Sequence, residues 1–255
     1  MNLFFFIVLA LTPIIIIIIK GEQIVINRES DFVKIFSKCR KGSPDFDECI
    51  KNGVNAARPY FKTGVKEFNI PPFDPFYAEE VVQVRGSHGL YYKLTIRNVY
   101  ERGWTNSHVY KFQSDLNNQL IRYHQFFPAK YLDGSWEIET NIFKPYKNSG
   151  TFNLGLFNYT QVTTAGVKKG YHADPNAPFH VRIQALQCGN MELHIKNLIP
   201  SWRSSGDQFV DSLIRIGWKP GFELSKPIID DLVSTAFTKI FNDAFKNFPF
   251  DKFFN

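Results

Sequence analysis

The chain of 255 residues is long enough for one large domain or two small ones. Hydrophobic residues make up 44% and charged residues 21%, with no long block of like charges, which excludes a disordered acidic or basic protein. The formal charge of +6 is scattered rather than clustered, so nucleic acid is not expected as a partner. There are 26 phenylalanines but only two methionines, a bias toward large rings that favours a big apolar interior, solid or hollow.

Residues 3–19 are mostly apolar, and no charge appears before Lys20. A secretory signal has an apolar core of about 7–15 residues, whereas a spanning helix needs about 20. Thr12 and Pro13 interrupt the run, and Lys20 and Arg28 follow on the side that an anchor would have to translocate. Residues 1–21 therefore read as a signal peptide cut near Gly21, in preference to an uncleaved anchor, and residues 22–255 as one domain. No later segment is long and apolar enough to span a bilayer, so the mature chain is expected to be soluble, without stable membrane insertion, and the signal peptide makes it extracellular. Asn158-Tyr159-Thr160 is an N-glycosylation acceptor and requires an exposed Asn158. Cys39 and Cys49 flank a short polar turn and can close a small disulfide loop in an oxidising compartment. Three unpaired thiols are the alternative. Cys188 is left over, as a buried thiol or as a reactive or intermolecular one.

From Ser43 to Phe68, the apolar positions Phe46, Ile50, Val54, Ala57, Phe61, Val65 and Phe68 recur at helical spacing. Ser43-Pro44-Asp45 supplies a start, and Arg58-Pro59 predicts a kink or break. Three prolines in Ile70–Pro75 force extended backbone. Strand alternation follows at Leu90–Ile96, Trp136–Ile142, Phe152–Leu156, Val181–Ala185 and Met191–Ile195. Asp133-Gly134, Asn148-Ser149-Gly150 and Cys188-Gly189-Asn190 read as turns between them. One apolar face per strand implies a large antiparallel sheet with one side wet. A loop with Trp202, Gly206, Trp218, Pro220 and Gly221 then leads to a helix over Ile228–Phe248, started by Pro227 and stopped by Pro249. Its apolar stripe, which includes Phe237, Phe241 and Phe245, covers nearly half the circumference. Such a width suits a helix half enclosed by a concave surface, or one packed between two neighbours.

Motifs for catalysis, zinc and nucleotides are missing: there is no G-x-S-x-G, H-E-x-x-H, C-x-x-C or phosphate-binding glycine loop. His88, His108, His124, His172, His180 and His194 lack ligand spacing and read as surface or strand-edge residues. Ser114, Asp115 and His124 are the types that build a hydrolytic triad, but a chain of this length offers such triples by chance. On a strand, the adjacent Glu79 and Glu80 point apart. No enzyme activity and no cofactor are expected.

With these residues in place, the chain resembles the insect haemolymph juvenile hormone-binding protein and takeout family. The resemblance is carried by Cys39 and Cys49 near the mature start, by Ile70-Pro71-Pro72-Phe73-Asp74-Pro75, and by the end from Pro227 through Phe248-Pro249-Phe250-Asp251-Lys252-Phe253-Phe254. Leu94–Val99 with Gly103-Trp104, and Leu193–Leu198, resemble its strands more loosely. The resemblance implies an α+β fold of the lipid-transfer, bactericidal/permeability-increasing kind: one elongated domain, with a long C-terminal helix wrapped by a highly curved antiparallel sheet around a hydrophobic tunnel. It also implies a secreted, monomeric carrier in haemolymph for a small hydrophobic molecule, a juvenile hormone-like terpenoid or a lipid. The alternative is a membrane-surface, chemosensory or interaction protein without a hormone ligand. Phe46, Ile50, Val54, Phe61, Phe237, Phe241 and Phe245 are the candidate lining residues, with plain core packing as the competing role for each.

Overall fold

The structure, a computed structural model, describes residues 15–19, 22–26, 31–66, 70–87, 90–118, 120–141, 144–166 and 180–245. Residues 1–14, Gly21, Phe68, His88, Ile142, His172 and the tail from Phe248 therefore lie outside the described residues, as do the side chains of 15–26, 87, 90, 202–204 and 243–245. Strands β1 (Ile15–Ile19) and β2 (Glu22–Ile26) pair antiparallel as a separate sheet.

Helix α1 (Asp31–Phe36), which periodicity does not announce, packs on α2 (Phe46–Ala56). Gly53 makes that approach possible, because a Cβ there would lie 2.5 Å from the Phe36 ring. Helix α2 begins later than expected. The Ser43 hydroxyl donates to the Arg40 carbonyl instead of capping the helix, and Asp45 stands at its N-cap. The helix breaks at Ala57–Pro59, as the proline requires, before the short α3 (Tyr60–Thr63). A disulfide joins Cys39 to Cys49, with their Cα atoms 5.5 Å apart. Replacing Cys39 by Ser should cost about 2–3 kcal/mol in the chain-entropy account of so short a loop. Denaturant unfolding checks this, and a loss below about 0.5 kcal/mol would mean that packing alone holds α1 in place.

Among the described residues, seven antiparallel strands form the main sheet: β3 (Phe76–Ser87), β4 (Leu90–Arg102), β5 (His108–Asp115), β6 (Leu120–Thr140), β7 (Tyr146–Gly166), β8 (His180–Gln187) and β9 (Asn190–Ile195). Strands β6 and β7, 21 residues each, run side by side along the whole length. Along the outer side of β6 lie β5 and then β4, which carries β3; along the outer side of β7 lie β8 and then β9. The expected turns at Asp133-Gly134 and Asn148-Ser149-Gly150 are instead strand interior. Their glycines serve close approach: a Cβ on Gly150 would lie 2.0 Å from the Lys196 carbonyl oxygen.

The sheet curves because its strands slip by one residue partway along. On β7 the inward residues change from Leu154 and Leu156 to Tyr159, Gln161, Thr163 and Ala165, and Asn158 stands at the change with φ 49°. Asn98, with φ 52°, plays the same part on β4, where the register with β6 also shifts. Glu79 and Glu80 lie opposite this slip and are both exposed, although a regular strand would point them apart.

Helix α4 (Arg203–Phe245) runs for 43 residues and includes the stretch expected to be a loop. Pro220 and Pro227 sit inside it, two turns apart and both exposed, so the missing amides fall on the outer face, where water can take the freed carbonyls. Packing on β8, β9 and β3 holds the helix together across these prolines. Its polar residues close the sheet edge. The amides of Val181, Ile183 and Ala185 on β8 each donate, at 2.9 Å, to Thr238 Oγ1, Ser234 Oγ and Asp230 Oδ1 respectively, one acceptor per helical turn. On the far edge, Gln83 and Arg85 of β3 donate to Asp231. Helix α2 treats β5 similarly, with the Asn55 amide exchanging hydrogen bonds with the Val109 backbone at 2.7 and 2.9 Å.

Burial pushes the Asp230 carboxyl above its ordinary 3.8, opposed by the Ala185 amide and by Lys226 and Arg182. A carboxyl raised on folding favours the folded state at acid pH and loses that contribution as pH rises through its folded-state value. Asp230→Asn keeps an acceptor for Ala185 and does not titrate. Its melting temperature relative to wild type should therefore climb from about pH 4 to pH 7, and a difference that ignores pH would contradict the burial of this carboxylate.

Candidate functional site

Between these elements lies a cavity of about 510 Å³. Helices α1–α3 and the Ile70–Phe73 segment wall one side; β5, β6, β7 and β8 wall another, and α4 closes it with Phe237, Ile240 and Phe241. None of the described wall residues comes from β4 or β9. The exposed Pro71, Pro72, Pro75 and Tyr77 mark where it reaches the surface.

Aromatic rings make its framework. Phe73 stands 4.7 Å from Trp104 and 4.9 Å from Phe76, while Phe237 stacks on Phe76 at 5.2 Å. Asp74 pins the proline segment beneath them by accepting from the amides of Gly103 and Thr105 at 3.1 and 2.8 Å. Among the described wall residues there is no Asp, Glu, Lys, Arg or His. The polar exceptions deep inside are Tyr123, Gln125 and Thr163. Burial raises the Tyr123 phenol, with the neighbouring Thr163 hydroxyl offsetting part of the effect, so it stays protonated at neutral pH.

Of the residues singled out in the sequence, Val54, Phe61, Phe237 and Phe241 stand in the wall. Phe46 and Ile50, 6% and 0% exposed, belong instead to the packed core, because the first turns of α2 press against α1 and β5. Phe245 ends α4, and its side chain lies outside the described ones. Periodicity does not identify Gln125 or Thr163, since polar residues on an inward strand face read as solvent-facing. The triple of Ser114, Asp115 and His124 does not assemble. Ser114 Oγ donates to Asp47, and the His124 ring faces the Tyr110 hydroxyl at 3.5 Å. Burial pushes the Cys188 thiol up, away from the thiolate, and its Sγ lies 3.0 Å from the Asn190 carbonyl.

One charged pair is buried beyond the wall. Lys130 Nζ lies 2.7 Å from Glu101 Oε1, both side chains being 5% exposed. The ammonium also donates to Gln161 at 3.1 Å and sits 4.6 to 5.4 Å from the rings of Phe127, Trp104 and Tyr159.

A long helix closing a curved antiparallel sheet over an apolar hollow is matched by family-level similarity. The model of the family described as haemolymph juvenile hormone binding protein (JHBP) matches residues 14–255. The chain belongs to this family. The crystal structure of Epiphyas postvittana Takeout 1 is similar to this JHBP-family chain at 14% identity and a TM-score of 0.53, over 82% of this chain and 96% of that one. At that identity the likeness concerns the fold. A crystal structure of lipopolysaccharide binding protein matches more weakly, with 12% identity and a TM-score of 0.26, over 77% of this chain and 37% of that one. No curated protein matches the sequence. Among the described residues of this JHBP-family chain, no helix is long and apolar enough to cross a membrane, and no group of side chains could hold a metal ion.

Proposed function

We propose that this JHBP-family chain is a secreted, monomeric carrier that holds one small apolar molecule, a terpenoid or a lipid, in the cavity and releases it unchanged. The observation that carries this reading is the hollow of about 510 Å³ with a wall of aromatic and aliphatic side chains. Burying about 300 Å² of apolar ligand surface there yields about 7 kcal/mol before the costs of association, enough for useful retention in an aqueous fluid. Export through a signal peptide over residues 1–21 is part of the proposal. The Cys39–Cys49 disulfide suits an oxidising compartment, and the exposed Asn158 suits glycosylation.

Native mass spectrometry of protein purified without detergent should find a small apolar molecule bound one to one. Phe241→Trp, which adds volume to the wall, should lower uptake of a neutral fluorescent probe severalfold with little change in melting temperature. Ligand-free protein that also ignores the probe would end the carrier reading. Unchanged uptake with lowered stability would make Phe241 a packing residue only.

A further inference from the structure

The polar part of the cavity wall is a single strip of the β6–β7 ladder. Tyr123 and Gln125 share the inward face of β6, and Thr163 of β7 stands opposite Tyr123. Gln125 and Thr163 are 3% and 2% exposed. The neighbours of Gln125 fix which way its amide points. Ser107 Oγ donates to the Trp104 carbonyl at 2.6 Å, which leaves it to accept from Gln125 Nε2 at 2.7 Å. The free atom of the amide is therefore the acceptor: Gln125 Oε1 is buried with no hydrogen-bond partner. Thr163 Oγ1 is buried as well, with the Tyr123 hydroxyl as its neighbour across the ladder. A buried acceptor held in place by its own donor and left unpaired calls for a donor from outside the chain.

We infer that Gln125, with Thr163 beside it, is a polar anchor that selects neutral ligands bearing a hydrogen-bond donor, an alcohol above all, over ethers, esters and hydrocarbons of the same size. This rests on the carrier reading and narrows it. A hydroxyl can donate to Gln125 Oε1, whereas an ester or ether offers acceptors only. A carboxylate fits worse still, because the described wall residues include no cation to offset its desolvation.

The test compares three probes of one chain length, tetradecanol, its methyl ether and tetradecane, each displacing N-phenyl-naphthylamine from the delipidated full chain. The alcohol should bind about tenfold more tightly than the ether, the value of one buried hydrogen bond. Gln125→Leu should erase that preference, and Thr163→Val should reduce it. Equal binding of all three probes to the wild-type protein would overturn the anchor and leave the carrier standing. Displacement by none of them would overturn the carrier and the anchor with it. The wild-type comparison decides the matter even where a variant fails to fold.

Discussion

Lys130→Met should destabilise the protein by about 3–5 kcal/mol, the usual result of stranding one partner of a buried ion pair. Glu101 would remain 4% exposed with its cation gone, and the cage of Trp104, Phe127 and Tyr159 would lose the charge it surrounds. For a chain of this size the melting temperature should fall on the order of ten degrees. Replacing both partners, Lys130→Met with Glu101→Leu, should recover much of the loss, since an apolar pair has no charge to desolvate. Thermal and urea unfolding of the single and double variants measure this directly. A double variant as unstable as the single one would show that the pair is needed for more than its mutual neutralisation. Lys130 joins β6 to β4 through Glu101 and to β7 through Gln161, so the pair fastens three strands just beyond the cavity wall.

Phe237→Ala should cost about 3–5 kcal/mol in the ligand-free protein. Phe237 is 3% exposed, and its ring meets Phe73, Phe76, Trp104 and Phe241. It is the residue through which α4 closes on the aromatic framework. The space it leaves opens into the existing cavity, so the surroundings cannot collapse to fill it. A bulky apolar ligand can fill it, and saturating ligand should raise the variant's melting temperature more than the wild type's. Urea unfolding with and without ligand separates the two parts. A loss below about 1 kcal/mol would place Phe237 outside the core that secures the helix.

Much of the fold was legible in the chain. Strand β4 departs from its expected alternation, since Thr95, on the face read as polar, is 1% exposed. The helical spacing from Phe46 to Phe61 and its break at Pro59, the alternation in β8 and β9, and the apolar face of the last half of α4 all survive in the structure. Each rests on a periodicity that only one kind of element satisfies. The failures share a cause as well. Asp133-Gly134 and Asn148-Ser149-Gly150 have turn chemistry, yet they lie in strands whose neighbours approach too closely for a side chain. Pro220 and Pro227 break isolated helices, but here packing on the sheet keeps the helix continuous through them.

The cavity was legible only in part. Val54, Phe61, Phe237 and Phe241 follow from helix faces, but the same reasoning could not separate them from Phe46 and Ile50, which pack solidly. An apolar stripe records that a face is buried, not whether the space opposite it is filled. By itself the sequence determined the helix at Phe46–Ala56, the apolar faces of β8, β9 and the last half of α4, and the family, because those depend on local spacing and on short runs of residues. Tertiary structure alone decided where the hollow lies and which polar atoms enter its wall, because both depend on the strand slips at Asn98 and Asn158 and on how α4 meets the edges of β8 and β3. A shift of one residue in a strand exchanges its inward and outward faces, and no local pattern announces where the shift falls.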